Sequence, residues 1–492
     1  MADTADQALS KRTIRAVFWT VGARLLSRVL DFATLLVLAR FLGPEDFGLV
    51  ATAMTIILVL EAILELPLSS VLVRLPEITD RACNTAFTLG LLRGLVLTAI
   101  IVVLSYPLAA FYGDQRLVAL ICTLALAPAL RGMISPRMAV FEKALNFRPR
   151  GIVELSGKVA ATAVAIAVAI ALESYWAIAA STLTAPAIMA LSSYLIAPMR
   201  PQLTTKDWPL FSEMISWNLV SQTLTAINWQ IDRFLLPRYV DTSSFGRYAA
   251  ANDLASLPAQ ALVAPATGPL ISAFVAAREE NHLKETYLKA SAGFTSLLLP
   301  VFFFIALCPE SIIQLLLGPK WSAAAPILSG LAWTSVFVIP SIPMLPLALS
   351  MNRSRDLAAR SFVELAIRVP LSLIGVIMFG IPGAIVARGG SFLAVCLSSV
   401  TLIKSMAGAT LREQFGVLMR PAAALVPACA FVLACKHYVG FDDPLHLEFL
   451  ATGALFCIIY VVALGAAWLV AGRPDGIEEA AFRMVTHYIH KR

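Results

Sequence analysis

Fourteen stretches of about 20 or more mostly apolar residues follow one another along this chain. That succession constrains the fold more than any single motif, because a helix crossing a bilayer needs about 20 consecutive apolar residues. The stretches are 14–40, 46–73, 84–111, 116–135, 151–171, 175–197, 211–238, 246–273, 286–308, 322–350, 360–380, 382–404, 419–437 and 447–471. The least apolar are 211–238 and the Pro-rich 322–350. The predicted fold is an all-α integral membrane protein with 14 transmembrane helices.

Orientation follows from the basic residues. One set of alternate connections carries 23 Lys and Arg, the other only Arg116, Arg238, Lys320 and Lys436. Basic residues collect on the cytoplasmic side, so both termini of this multi-pass protein are expected there. A missed or invented span would scramble the alternation. Only 14% of residues are charged and 59% are hydrophobic, against roughly 25% charged in soluble proteins. A cytosolic enzyme, a disordered chain and a secreted disulfide scaffold are excluded. The net charge of +7 is explained by the cytoplasmic bias and implies no nucleic-acid partner. Seven scattered cysteines form no C-x-x-C pair, and the five histidines fall in polar connections or the tail. No metal site, disulfide or intramembrane histidine relay is therefore expected. The opening MADTADQALSKR is polar and acidic before Lys11 and Arg12, unlike a cleavable signal peptide.

The connections on the exported side are short, so no extramembrane domain is expected. The longest polar break in the middle is APMRPQLTTKDWP (197–209). The segment PRMAVFEKALNFRPR (136–150) reads equally as an amphipathic interfacial stretch or a plain basic loop.

A shift of 198 residues lays the first two spans on the seventh and eighth without a gap. Trp19 falls on Trp217, Arg40 on Arg238, Phe47 on Phe245, Gly48 on Gly246, Ala51 on Ala249, Ala53 on Ala251 and Pro67 on Pro265. Six helices separate the copies, so they share an orientation. The predicted organisation is two parallel-related six-helix bundles, 1–200 and 201–410, followed by two further helices and a tail (411–492).

The two six-helix halves, the 14 spans and the opening FWTVGARLLSRVLDFATLLVLARFLGPEDFGLVATA together resemble one family. It is the polysaccharide-transporter branch of the multidrug/oligosaccharidyl-lipid/polysaccharide (MOP) exporter superfamily, which includes Wzx-type oligosaccharide flippases. LARFLGPEDFG is the most specific stretch, and the likeness covers essentially the whole chain. The resemblance implies a V-shaped pair of bundles working by alternating access in the bacterial cytoplasmic (inner) membrane. It also implies flipping of an undecaprenyl-diphosphate-linked oligosaccharide to the periplasmic leaflet for exopolysaccharide, capsule or O-antigen assembly. Partners implied with it are membrane lipids, a polysaccharide polymerase and a chain-length regulator.

Charges within the spans are the candidate site, since each is costly in lipid and needs a partner or an aqueous cavity. Arg24, Arg28 and Asp31 share a face of the first span, and Glu61 and Glu65 lie one turn apart in the second. At about 1.5 Å rise per residue, Arg28 and Glu61 sit at equal depth, as do Arg24 and Glu65. Two ladder pairs, Arg28–Glu61 and Arg24–Glu65, are therefore expected. Either they lock two helices together, or the arginines meet the substrate's diphosphate with bidentate forks that stay charged at physiological pH. Arg93, Arg368 and Arg388 are further candidate cavity cations, although Arg368 also has Glu364 four residues before it and Lys158 has Glu154. Arg131 is expected to snorkel to headgroups. Asp232, Arg233 and Asp253 form an outer cluster that either pairs internally or couples transport to H⁺ or Na⁺. No other cofactor is expected.

Pro258, Pro265 and Pro269 interrupt the eighth span, and Pro340, Pro343 and Pro346 the tenth; these are the expected hinges. Trp217, Trp229, Tyr239, Phe245 and Tyr248 serve either as an interfacial belt or as stacking surfaces for sugars. There is no G-x-x-x-x-G-K-[ST], H-E-x-x-H or G-x-S-x-G motif, so no nucleotide loop, metalloprotease or serine-hydrolase chemistry is expected. The competing functions are a cation-coupled multidrug exporter and a membrane-embedded polysaccharide polymerase. The first would favour an acid-lined pocket and the second a sizeable exported loop.

Overall fold

The structure, a computed structural model, describes residues 2–438, 447–472 and 479. In chain order the helices are α1 (Ala2–Phe41), α2 (Pro44–Ile63), α3 (Leu68–Arg74), α4 (Asp80–Tyr112), α5 (Arg116–Leu124), α6 (Leu126–Gly132), α7 (Met138–Lys143), α8 (Arg148–Leu172) and α9 (Trp176–Ile196). There follow α10 (Pro209–Tyr239), α11 (Thr242–Glu279), α12 (Leu283–Leu307), α13 (Pro309–Leu316), α14 (Ala325–Val336), α15 (Met344–Ser350), α16 (Ser354–Ala407), α17 (Leu411–Tyr438) and α18 (Leu447–Val470). Each of the fourteen apolar stretches lies on one of these helices or on two joined end to end. Nine described segments are long and apolar enough to cross a membrane, and a bent pair makes ten. That number takes α16 as one, but Gly380 (φ 60°, ψ −130°) breaks it into two helices. Only glycine adopts such a backbone without strain, and the break falls between stretches 360–380 and 382–404.

Local chemistry sets the helix boundaries. In FLGPED, Pro44 opens α2 at a position where its missing N–H costs nothing. The Asp46 carboxylate accepts the Gly43 N–H at 3.2 Å, and Glu45 and Asp46 in the first turn complement the helix dipole. Thr79 caps α4 by accepting the Ala82 N–H at 3.1 Å. Gly113 ends it in the left-handed region at φ 78°, as helix C-termini commonly require.

By internal contacts the chain forms two compact units, Met1–Ala249 and Ala250–Arg492. In the first unit α1 packs on α8, α8 on α9, α4 on α6, and α10 along α2. The contact boundary falls within α11, beyond the 197–209 linker, because α10 lies against α2. Here the repeat has a physical counterpart. A Cβ placed on Gly48 would stand 1.9 Å from the Thr242 carbonyl oxygen, and one on Gly246 would stand 1.8 Å from the Pro44 carbonyl oxygen. Gly48 and Gly246 are partners at the 198-residue shift, and so are Pro44 and Thr242. The contact is therefore reciprocal, each helix start pressing its backbone on the other, as contacts about a two-fold axis are. Small residues permit such close backbone approach in membranes.

The second unit is built around aromatic packing. Phe302, Phe449, Phe456 and Tyr460 are buried with Leu298 and Val432, which brings α12, α17 and α18 together. Phe304 stacks on Phe449 at 5.6 Å and meets Phe456 at 5.2 Å. The segments Pro319–Val336 and Ile339–Ser350 meet at a 44° bend.

Candidate functional site

The first unit holds a cavity of about 830 Å³, lined by charged and apolar residues from α1 to α4 and from α6 to α9. Arg93, Arg131, Arg150, Lys158, Asp31, Glu142 and Glu154 all reach it. Along α1, Ser27, Asp31 and Thr34 face α8. The Ser27 hydroxyl donates to Glu154 at 3.3 Å, Lys158 forms an ion pair with Asp31, and Thr34 shares a hydrogen bond with Thr162 at 2.7 Å. The spacing 27, 31, 34 on one helix matches 154, 158, 162 on the other, one polar rung per turn.

The expected ladder pairs do not form. Glu61 instead binds Arg131, with side chains 12% and 37% exposed. α1 turns its polar face to α8, and α2 turns Glu61 toward the end of α6. Arg131 thus pairs across helices rather than snorkelling. Lys158 pairs with Asp31 rather than with Glu154 on its own helix, since an interhelical partner better neutralises a charge within the bilayer. Glu65 is exposed in the break between α2 and α3, while Arg24 and Arg28 are exposed on α1 and, contrary to their expected place as cavity cations, do not line the cavity of about 830 Å³. Neither of these two arginines makes a hydrogen bond or ion pair among the described residues.

Arg93 lines the cavity, as expected of it, and is also engaged by backbone groups. Its Nε donates to the Leu64 carbonyl at 2.5 Å and its Nη2 to the Glu61 carbonyl at 2.8 Å. These are end carbonyls of α2, which the turn into Pro67 leaves without intrahelical partners. A cation is also favoured at the negative end of a helix dipole. Beside α3, the buried Met138 and Ala139 dock α7, and Glu142 accepts from Ser69 at 2.8 Å and Arg150 at 2.6 Å. The 136–150 segment is thus a docked helix and turn.

In the second unit, Arg388 donates to the Asn252 side-chain oxygen and lies 5.3 Å from the centre of the Phe392 ring. Arg368, 5% exposed, lies 5.9 Å from the same ring. It also keeps the expected intrahelical pair with Glu364 at 3.8 Å. Arg360 donates to the Ser399 hydroxyl at 3.0 Å. Each guanidinium is favoured near the ring because the ring's negative quadrupole attracts a cation. Asn252, Phe392 and Ser399 had no signal in the sequence, since neutral or aromatic partners of arginine carry no charge pattern. The Ser27/Asp31/Thr34 register against Glu154/Lys158/Thr162 was readable there.

Asp232 is buried, Arg233 half-buried and Asp253 exposed. Pro258 and Pro265 lie inside the continuous helix α11, whereas Pro340 and Pro343 lie at the 44° bend. Phe245 and Tyr248 are core residues, 0% and 1% exposed and stacked at 6.5 Å, so they offer no face to a sugar. Trp229 and Tyr239 are 73% and 48% exposed. The side chain of Trp217 lies outside the described residues.

With this geometry in place, comparison with known proteins adds the following. A family model described as "Polysaccharide biosynthesis protein" matches residues 37–326. The succinoglycan biosynthesis transport protein ExoT of Rhizobium meliloti (strain 1021) is 25% identical over 340 residues, 68% of this chain and 69% of that one. The lipopolysaccharide biosynthesis protein WzxC of Escherichia coli (strain K12) is 21% identical over 437 residues, 84% and 85% of the two chains. Among solved structures, the lipid II flippase MurJ in an inward closed conformation superposes with a TM-score of 0.73 at 12% identity, over 93% of this chain and 100% of that one. That likeness shows the fold.

Proposed function

The chain belongs to the polysaccharide biosynthesis protein family, and we propose that it is a transporter carrying an undecaprenyl-diphosphate-linked oligosaccharide across the cytoplasmic membrane. Relatives named for succinoglycan transport and lipopolysaccharide biosynthesis support the class of cargo. They also support transport rather than catalysis as its activity. In this reading both termini are cytoplasmic, and the cargo is delivered to the exported leaflet, where a polymerase and a chain-length regulator take it up.

One observation carries the assignment of the site. Among the described residues, Arg93, Arg131 and Lys158 of the first unit are all engaged by protein groups, while Arg24 and Arg28 are exposed and unpaired. An unpaired cation in a membrane-embedded helix needs water or an anionic ligand. The two stand one turn apart, about 6 Å along the axis, so two planar forks can grip one diphosphate with charge-assisted hydrogen bonds. The polyprenyl tail stays in lipid while the sugar and diphosphate cross through an aqueous passage. Alternating access moves the bound headgroup, with the bend at Pro340 and Pro343 as a hinge. Asp232 and Asp253 are the groups to which H⁺ or Na⁺ coupling is assigned. A multidrug exporter of cationic compounds is disfavoured, because unpaired arginines would repel such cargo.

Arg24→Ala/Arg28→Ala should abolish polysaccharide export and leave the lipid-linked glycan in the cytoplasmic leaflet, with insertion and melting temperature unchanged. Wild-type export from the double variant would remove both residues from the site.

A further inference from the structure

The linker between the two repeats closes over a second concave site, separate from Arg24 and Arg28. Its space of about 600 Å³ is lined by Arg81, Arg137, Arg200 and Lys206, with Asp80 as the lining carboxylate. The linker backbone is fixed onto α4. The Gln202 N–H donates to the Asn84 side-chain oxygen at 3.0 Å, and the Thr204 N–H to the Thr88 hydroxyl at 2.9 Å. Arg137 holds the Pro198 carbonyl at 3.2 Å and stands 3.7 Å from Asp80, and Arg81 pairs through Nε with Asp207 at 2.9 Å. Arg200 and Lys206 are exposed, and their side chains make no hydrogen bond or ion pair among the described residues. A linker that needed only to span two helices would have no reason to be pinned with two unmatched cations at the rim of a basic hollow.

The surroundings say what kind of anion fits. Leu203, also part of the lining, is 75% exposed, and Trp208 and Leu210 just beyond it are 44% and 48% exposed. Apolar and tryptophan side chains beside a basic hollow form the pattern of a membrane–water interface, where an acyl chain and a headgroup are met together. A free phosphate would use the cations and leave the apolar rim unexplained.

We propose that this hollow binds the phosphate of an anionic phospholipid headgroup, which braces the linker against α4 at the Lys/Arg-rich end of the first unit. Arg200 and Lys206 supply the charge, Arg81 contributes its remaining donors, and Leu203 and Trp208 lie along the acyl chain. The inference does not depend on the cargo assigned above, since it uses none of the same residues.

The test is lipid retention by the delipidated full-length chain, titrated separately with phosphatidylglycerol and phosphatidylcholine and read by native mass spectrometry. Phosphatidylglycerol should be retained over phosphatidylcholine. Arg200→Gln/Lys206→Gln, which breaks no protein contact, should weaken phosphatidylglycerol about tenfold or more and leave phosphatidylcholine unchanged. Arg24→Ala/Arg28→Ala should change neither. Equal phosphatidylglycerol retention in the Arg200/Lys206 variant would overturn the proposal. Displacement by millimolar inorganic phosphate would make it a free-phosphate site and overturn the lipid assignment. Displacement by a polyprenyl diphosphate at lower concentration than phosphatidylglycerol would assign the hollow to cargo, with the same consequence.

Discussion

In the first unit Lys158 meets Asp31, Arg131 meets Glu61 and Arg150 meets Glu142. In the second, Arg388 meets an amide and a phenyl ring, Arg360 a hydroxyl, and Arg368 the same ring with Glu364 at 3.8 Å. Around its cavity the first unit thus sets carboxylates against half-buried or exposed cations, with Arg93 held by backbone carbonyls. The second unit places Arg368 and Arg388 5.9 and 5.3 Å from the centre of the Phe392 ring. The starts of α2 and α11 share a reciprocal glycine contact, while the charge partners described in the two units differ. A carboxylate removes a cation's net charge, whereas an amide or a ring stabilises the cation and leaves the charge in place. The consequence is that similar helical frames can offer electrostatically different interiors.

The largest effects should come where backbone meets backbone, because nothing there can move aside. Gly48→Ala puts a methyl group 1.9 Å from a carbonyl oxygen in the first unit, and Gly383→Ala does the same at 1.8 Å from the Gly375 carbonyl in the second. Each should cost about 3 kcal/mol, read as a lower melting temperature of the purified protein. Gly268→Ala, with nothing within 4 Å of the added carbon, is the control and should be neutral. A harmless Gly48→Ala would mean that the reciprocal contact is not a fixed feature of the first unit.

Next in size is the ion pair that marks the first unit. Glu61→Gln leaves Arg131 in a partly buried site without its carboxylate, at a cost of about 2 kcal/mol once its partial exposure is allowed for. A double-mutant cycle between Glu61 and Arg131 should show coupling, and one between Glu61 and Arg28 none. Coupling to Arg28 would restore the α1–α2 ladder and undo the contrast between the units.

That ladder shows how far the sequence could be read. Apolar length and Lys/Arg alternation need no knowledge of neighbours, so every expected span lies on helix and even the break near Gly380 was legible. Position along each helix axis was countable, since rise per residue is fixed. Rotation about the helix axis was not: Glu61 and Arg28 share an expected depth, but which face of α2 turns toward α6 depends on packing of the whole bundle. The backbone partners of Arg93 were not legible for a related reason. They are carbonyls exposed by the break at Leu64–Pro67, and no side-chain pattern announces them.

A smaller effect tests the second unit. Phe392→Leu keeps the volume roughly apolar but removes the ring that Arg368 and Arg388 share, and should cost about 1 kcal/mol. The same change combined with Arg388→Gln should be less than additive. Strict additivity would mean that the ring packs there without serving the cations.

The smallest expected effect lies outside the bilayer, where the contrast between carboxylate and neutral partners should nearly vanish. In the connection from α4 to α5, Arg116 donates to Asp114 through Nε at 3.1 Å and Nη2 at 2.8 Å, and also reaches Glu45 at 2.9 Å. These hydrogen bonds hold the Asp114 carboxyl below its ordinary range. A carboxylate with a depressed folded-state value adds stability above its unfolded value, near 4, and loses it as the pH falls through the folded one. Because the site is exposed to water, the contribution should stay under about 1 kcal/mol. The melting temperature of the wild type should therefore fall slightly more than that of Asp114→Asn between about pH 6 and about pH 3. At neutral pH, Glu310→Gln, which breaks the exposed Lys436–Glu310 pair of the second unit at 3.1 Å, should change stability by a similarly small amount. If either exposed pair proved as costly to break as Glu61–Arg131, burial would not be what separates strong from weak charge partners in this protein, and the contrast between the two interiors would need another cause.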